Sequence, residues 1–287
     1  MKGVILKAWY FVFKIPPGRA FGNIIYPLLP EYIKKKCIAS YFQRKGFIGF
    51  ITNTISHKLD KEYFSGSEEE IRKANRELYW GAYFGRSWHN LERSKYSSIE
   101  EYISTDAFIK FRKPLIDQVK VLNFKNVCEI GTGNGLFIRY LSETLPAEKF
   151  YGLDINKETI EENKNIYADS GITFLADSNN DFLYNQLPDD VLIISVGTLE
   201  CFTKAELEEL LTSLKNSNKK VTISLSEPFD LDLNSEDSVP REGSALFSHA
   251  YEKILTRLQF RIVSILYLKR KTEDPRVNYI IVTASNY

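Results

Sequence analysis

The sequence predicts an α/β protein: a Rossmann-like, seven-stranded, mostly parallel sheet with an antiparallel last strand, preceded by a helical N-terminal region. Three observations carry this expectation. From residue 125 onward, short apolar runs alternate with helix-length segments, as in a parallel sheet with right-handed crossovers. The first of these runs, Val127–Ile130, ends in a turn with glycines at alternate positions, Gly131, Gly133 and Gly135. The last two β-rich runs, 261–268 and 277–284, are separated by only eight residues, Lys269–Arg276, too few for a crossover helix.

Two regions follow, with a boundary at 119/120. Residues 1–59 hold an apolar, aromatic stretch (Val4–Phe13), the breaker Pro16-Pro17-Gly18 and the basic run Lys34-Lys35-Lys36. Ser67 before Glu68-Glu69-Glu70 predicts a capped helix start, since acids there complement the helix dipole. The segment 77–89 is dense in aromatics, and Tyr83, Arg86 and Trp88 are its candidates for a lid over a site. Further helices are expected from Ser97 and over 108–121.

Beyond the boundary, strands are expected at 127–130, 150–155, 172–177, 191–196 and 220–226. The run 191–196 is apolar at every position but Ser195, as a strand buried on both faces requires. Helices are expected at 134–144, 157–168, 204–214, with Thr203 as cap, and 244–258.

Composition narrows the class. The chain has 287 residues, of which 44% are hydrophobic and 26% charged, enough for one large domain or two small ones. Its three cysteines, Cys37, Cys128 and Cys201, contain no CxxC pair, which argues against a disulfide or zinc framework and for a reducing, cytoplasmic setting. With three histidines, His57, His89 and His249, a histidine-built metal site is not expected. The net charge of +1 is unevenly placed: residues 1–59 carry ten Lys/Arg against the single acid Glu31. Such a basic, aromatic arm either packs on the body or, over residues 1–40, touches an anionic membrane surface. No run is long enough for a spanning helix.

The glycine turn does not fit G-x-G-x-x-G, whose last position is Leu136 here, and a P-loop signature is absent. The stretch Glu129-Ile130-Gly131-Thr132-Gly133-Asn134-Gly135 instead resembles the first motif of class I S-adenosylmethionine-dependent methyltransferases. Asp154 and Asp177 close the next two strands, where ligands of open α/β sheets bind. The resemblance covers roughly residues 120–287 and implies S-adenosyl-L-methionine as cofactor. It implies that Asp154 takes the ribose hydroxyls, that Asp177 with Ser178 meets the adenine amino group, and that Ile155 packs on adenine. Glu129 is expected to bond the turn backbone or reach the methionine amino group. The Gly133–Gly135 N–H groups are expected to face the ligand, with Val196 beside them at the end of the fourth strand.

The acceptor is read from the flanks. The segment Ser195–Phe202 takes the place of the family's acceptor loop, with Glu200 on it. NPPY-type signatures are missing, so a nucleic-acid base is not expected. The phrase Gly243–Tyr251 resembles one in bacterial small-molecule and sugar methyltransferases, and places His249 as candidate base with Glu200 or Glu227 as partner or alternative. The reading is O-methylation of a small molecule or a surface-glycan sugar. The alternatives are N-methylation of a small metabolite and an inactive cofactor-binding partner subunit.

Overall fold

The computed structural model describes residues 24–30, 32–33, 80–81, 83–177, 180–229, 237–240, 246–268 and 278–287. The chain forms two compact units, Met1–Trp88 with Gly243–Ala245, and His89–Glu242 with Leu246–Tyr287. The first unit's described part holds a 3-10 turn, Tyr26–Leu28, and the start of helix α1 (Tyr83–Arg93). The expected basic run 34–36 and the helix start at Ser67 lie outside the described residues. The second unit begins at His89, ahead of the boundary read from sequence.

The second unit contains the sheet. Its strands are β1 (Asn126–Ile130), β2 (Lys149–Asp154), β3 (Ile172–Ala176), β4 (Val191–Val196), β5 (Val221–Phe229), β8 (Arg261–Leu268) and β9 (Asn278–Ser285). Two short strands, β6 (Ser238–Pro240) and β7 (Phe247–His249), pair separately. The main order is β3-β2-β1-β4-β5-β9-β8. The first five are parallel, and β9 is antiparallel to both of its neighbours. This is the Rossmann-like, mostly parallel sheet expected, with β9 inserted between β5 and β8.

Burial explains the strand composition. All of β1 and all of β4 except Val196 are buried, because helices cover both faces. Cys128, Ile130 and Ile193 face a layer containing α6 (Lys204–Asn216) and α7 (Tyr251–Arg257). Val127, Leu192 and Ile194 face a layer built by α2 (Ile99–Ile103), α3 (Lys113–Val119), α4 (Leu136–Thr144) and α5 (Lys157–Ile166). The caps are local: Ser98 accepts from Glu101 N–H, and Thr203 and Glu206 form a reciprocal box.

Two segments depart from the periodicity reading. The helix expected over 108–121 is a π-helical segment, Phe108–Arg112, followed by α3. Pro114 offers no N–H, so regular pairing cannot run through the junction. The helix expected over 244–258 starts only at Tyr251. Phe247, Ser248 and His249 are all buried and pair with Pro240, Val239 and Ser238, and the Ala250 N–H bonds Asp237 O instead of continuing a helix.

Candidate functional site

The site sits at the carboxyl ends of β1, β2 and β4. After β1 the chain reverses through Gly131, Gly133 and Gly135, all in the left-handed region at φ +74°, +50° and +76°. An L side chain there would be strained, and a Cβ would also collide: at Gly131 with the side chain of Thr198 at 2.0 Å, at Gly133 with the His89 ring at 2.7 Å, and at Gly135 with Tyr167 at 2.7 Å.

The turn is held from several elements. The Gly131 and Thr132 N–H groups donate to Leu153 O, each at 2.8 Å. The Gly133 N–H donates to Asp154 Oδ2 at 2.9 Å, and Gly135 N–H to Thr132 O at 3.0 Å. The expectation that the Gly133 and Gly135 N–H groups face a ligand is thereby corrected: in this structure both are bonded inside the turn. The Asn163 amide, fully buried on α5, donates to Gly133 O at 2.7 Å, and its Oδ1 accepts from Arg93 at 2.6 Å. Tyr167 Oη donates to Asn134 O at 3.0 Å.

Glu129 is 3% exposed. Its Oε2 accepts from Thr132 Oγ1 at 2.7 Å, and the Ile138 N–H near the start of α4 also bonds it. The carboxylate thus supplies the helix-start acceptor that Gly135, without a side-chain oxygen, cannot. This differs from the bond to the turn backbone expected for Glu129: its partners are the Thr132 side chain and the Ile138 N–H of α4. Burial pushes its pKa up to about 7, against the pull of the Thr132 bond and the Arg112 charge.

Asp154 is 7% exposed, with Oδ1 accepting from Asn156 N–H at 2.8 Å and Oδ2 from Gly133. Each oxygen keeps one lone pair uncommitted by these two bonds. Ile155 follows, partly buried. Asp177 is oriented differently from the expectation. Its two oxygens accept the Asp181 and Phe182 N–H groups at 2.8 and 2.9 Å, so it caps the π-helical segment Phe182–Gln186. Ser178 lies outside the described residues.

On the other side, the loop after β4 closes over the turn. Val196 is partly buried and Gly197 takes φ +64°. Glu227, fully buried at the end of β5, holds this loop through Oε1, which accepts from Ser195 Oγ at 2.6 Å and from the Thr198 and Leu199 N–H groups at 3.2 Å each. Burial raises its pKa, against these bonds. Glu200 Oε1 lies 3.7 Å from where a Cβ on Gly197 would be, and Glu200 is partly buried.

His249 is not brought to this edge. Its ring is 0% exposed, with Nδ1 2.6 Å from Ser238 Oγ and Nε2 3.1 Å from Phe202 O. A carbonyl only accepts, so Nε2 carries the proton and Nδ1 accepts from Ser238. A ring with both nitrogens committed and no exposed surface is a brace behind the loop, which corrects its assignment as base. Tyr83, Arg86 and Trp88, the expected lid, fall in the first unit; Arg86 is exposed, Trp88 partly buried, and the Tyr83 side chain lies outside the described residues.

Sequence reasoning missed His89, Arg93, Asn163 and Tyr167. His89 and Arg93 stand four residues apart on α1 and so share a helix face, the one signal that was available. Desolvation lowers the His89 pKa, partly offset by the Asp154 carboxylate. Among the described residues no cluster of three His, Cys, Asp or Glu side chains is placed to hold a metal, and no helix is long and apolar enough to cross a membrane.

A nucleoside carrying an amino-acid tail fits the groups present: an acid with spare lone pairs at the end of β2, a glycine turn bonded to it, and a buried carboxylate at the end of β1. Residues 127–220 match the methyltransferase domain family. No curated protein is significantly similar to the chain in sequence. Among solved structures, the chain is similar to the O-methyltransferase from a trans-AT PKS multienzyme of Brevibacillus brevis, in complex with S-adenosyl-L-homocysteine. The two share 14% identity and a TM-score of 0.50, over 70% of this chain and 78% of that one. It is also similar to a SAM-dependent methyltransferase from Aquifex aeolicus (17% identity, TM-score 0.47, 66% and 97% covered). The N-methyltransferase NodS from Bradyrhizobium japonicum WM9 with S-adenosyl-L-homocysteine gives 15%, 0.48, and 69% and 97%.

Proposed function

We propose that this chain, a class I S-adenosylmethionine-dependent methyltransferase, delivers the methyl group to an oxygen of a small molecule or a sugar. The observation that carries the cofactor half is the placing of Glu129 and Asp154 at the carboxyl ends of adjacent strands, with the glycine turn between them and bonded to Asp154. When bound, the cofactor supplies an electrophilic methyl on a sulfonium, and the protein supplies position. Asp154 would hold the ribose hydroxyls with its remaining lone pairs, and Ile155 would offer an apolar face to the adenine.

Oxygen as acceptor is supported by Glu200. A hydroxyl must lose its proton as it attacks, and a positioned base contributes roughly 10²–10⁴-fold. With His249 sealed behind the loop and Glu227 fully buried and holding that loop, Glu200 is the sequence candidate that remains, on the loop whose Thr198 rests on Gly131. The basic, aromatic composition of residues 1–40 supports an acceptor presented at a membrane surface, such as a lipid-borne glycan. The test is labelled-methyl transfer from S-adenosylmethionine to host extract separated into glycan, lipid, protein and small-molecule pools. Label in ether or ester linkage in the glycan or small-molecule pool, lost in Glu200→Gln, is expected. Label on amine nitrogen replaces oxygen with nitrogen as the acceptor, and no label with any pool removes the enzymatic reading.

A further inference from the structure

The described part of the first unit turns three large apolar side chains to solvent within one short stretch. Ile24 is 65% exposed, Leu28 76% and Tyr32 62%. Apolar residues exposed singly are ordinary on a protein surface, whereas several together mark a place where something binds. Ile24 and Leu28 turn outward from the helical backbone that tightens into the 3-10 turn Tyr26–Leu28, while Tyr26 between them turns inward and is 7% exposed. Pro27 and Pro30 are exposed beside them.

The backbone of this stretch suits an apolar medium. Pro27 and Pro30 have no N–H to desolvate. The Leu29 N–H donates to Tyr26 O at 3.2 Å, and the Ile33 N–H donates to Pro30 O at 2.9 Å. Water can therefore leave this surface without stranding those donors, which is the usual cost of taking an irregular segment out of solvent. None of the described residues 24–30 and 32–33 is charged.

The charge lies around the stretch in sequence. Arg19 precedes it and Lys34-Lys35-Lys36 follow, against Glu31, the single acid of the first 59 residues. A surface that is apolar in the middle and cationic at its flanks complements a bilayer with anionic headgroups. Isoleucine and leucine enter the boundary between headgroups and acyl chains, a tyrosine ring sits at headgroup level with its hydroxyl in water, and lysines reach the lipid phosphates.

We infer that this stretch docks on an anionic lipid surface, entered by Ile24, Leu28 and Tyr32 and drawn there by the lysines that follow in the sequence. The docking is interfacial, and it depends neither on the cofactor site nor on which atom is methylated: it concerns where the chain works. Apolar insertion and charge attraction act together in such binding, and each alone is weak. A lipid-borne acceptor would be met at the same surface.

The experiment is flotation of the full chain with vesicles of phosphatidylcholine mixed with phosphatidylglycerol, and with vesicles of phosphatidylcholine alone. Wild type is expected to float with the mixed vesicles and to stay at the bottom of the gradient with the neutral ones, and raised salt is expected to release it. Ile24→Asp combined with Leu28→Asp should weaken binding to the mixed vesicles at least tenfold. Lys34→Gln, Lys35→Gln and Lys36→Gln together should do the same, with the urea unfolding midpoint unchanged in both variants. Leu28→Ser, at the most exposed of the three apolar positions, repeats the test where the double variant shifts that midpoint. Wild type that fails to float, wild type that floats equally with both kinds of vesicle, and folded variants that float as wild type does each overturn the inference. A wild-type dimer that the double variant splits, measured by light scattering, overturns it too and makes the surface a contact between copies. S-adenosylhomocysteine calorimetry on the same proteins tests the methyltransferase reading separately, and its failure leaves the flotation result standing.

Discussion

Asn163 on α5 donates its amide to Gly133 O at 2.7 Å, so a helix three elements downstream fixes the middle of the glycine turn. The same side chain accepts from Arg93 at 2.6 Å, joining α1 to the arrangement. Replacing it with Leu keeps the branching and heavy-atom count and removes both bonds, leaving the buried Gly133 carbonyl without this donor and Arg93 without its shortest acceptor. A loss of about 2–4 kcal/mol is expected in urea unfolding, with S-adenosylhomocysteine affinity reduced as well. Unchanged stability would show that the turn holds its shape unaided.

Gly131 presents a second check. At φ +74° an alanine is strained by about 1–2 kcal/mol, and its Cβ would stand 2.7 Å from the Thr198 Cβ. Gly131→Ala is expected to cost more than the strain alone. Adding Thr198→Gly should recover the steric part and leave the strain. Strictly additive losses in the double-mutant cycle would mean that the two residues do not press on each other.

Asp154 is expected to serve the adenosine that S-adenosylhomocysteine and 5′-methylthioadenosine share. Asp154→Asn should therefore weaken both together, each at least tenfold, about 1.4 kcal/mol. Retained affinity for both would remove Asp154 from the site.

Glu129 makes stability depend on pH. Its folded pKa of about 7 lies above the ordinary value of 4.5. Between those values the folded protein keeps a proton that the unfolded chain has released, so this residue's contribution is present below pH 4.5 and is lost as pH rises through 7. The loss amounts to at most about 3 kcal/mol. Glu227 acts in the same direction and His89 in the opposite one: its lowered pKa costs stability as pH falls. The difference between wild type and Glu129→Gln isolates the first term. Denaturation midpoints should converge at low pH and separate toward pH 8 in favour of Gln. A flat difference would show that Glu129 ionises normally in the fold.

His249→Ala should act on stability. It removes a buried ring that bonds Ser238 and Phe202, and a loss of about 2–4 kcal/mol is expected. Turnover per folded molecule should stay within threefold. A variant of wild-type stability with abolished turnover would return His249 to the chemistry.

Much of the sheet was legible in sequence because its signals are local. Val191–Val196 is apolar at every position except Ser195, and only a strand covered on both faces explains that. The turn was legible because glycine takes φ > 0 without the strain other residues suffer, so glycines at alternate positions mark a tight reversal of the chain. Sequence does not say how a polar side chain spends its bonds. Asp177 and Asp154 close neighbouring strands alike, yet one caps a helix and the other holds the turn. His249 was read as a base from the likeness of Gly243–Tyr251 to a phrase of small-molecule and sugar methyltransferases and from the helical period expected over 244–258. A three-residue partner strand, Ser238–Pro240, overrode that period and buried the ring. Asn163 and His89 were missed because their partners lie 30 and 44 positions away in the chain, and neither spacing is periodic.

The contact of Thr198 with Gly131 sets a limit on how this enzyme can be re-engineered. A library aimed at new acceptors would naturally randomise the loop 197–202. Two of those positions are not free: Thr198 leans on the cofactor turn, and Leu199 is both buried and tethered through its N–H to Glu227. Enlarging either one trades away the nucleoside cradle for a change in acceptor. Gly197 is held as well, since at φ +64° any L side chain is strained, so diversity belongs at Cys201, partly buried on the same loop, where selectivity can drift while the methyl donor stays in place.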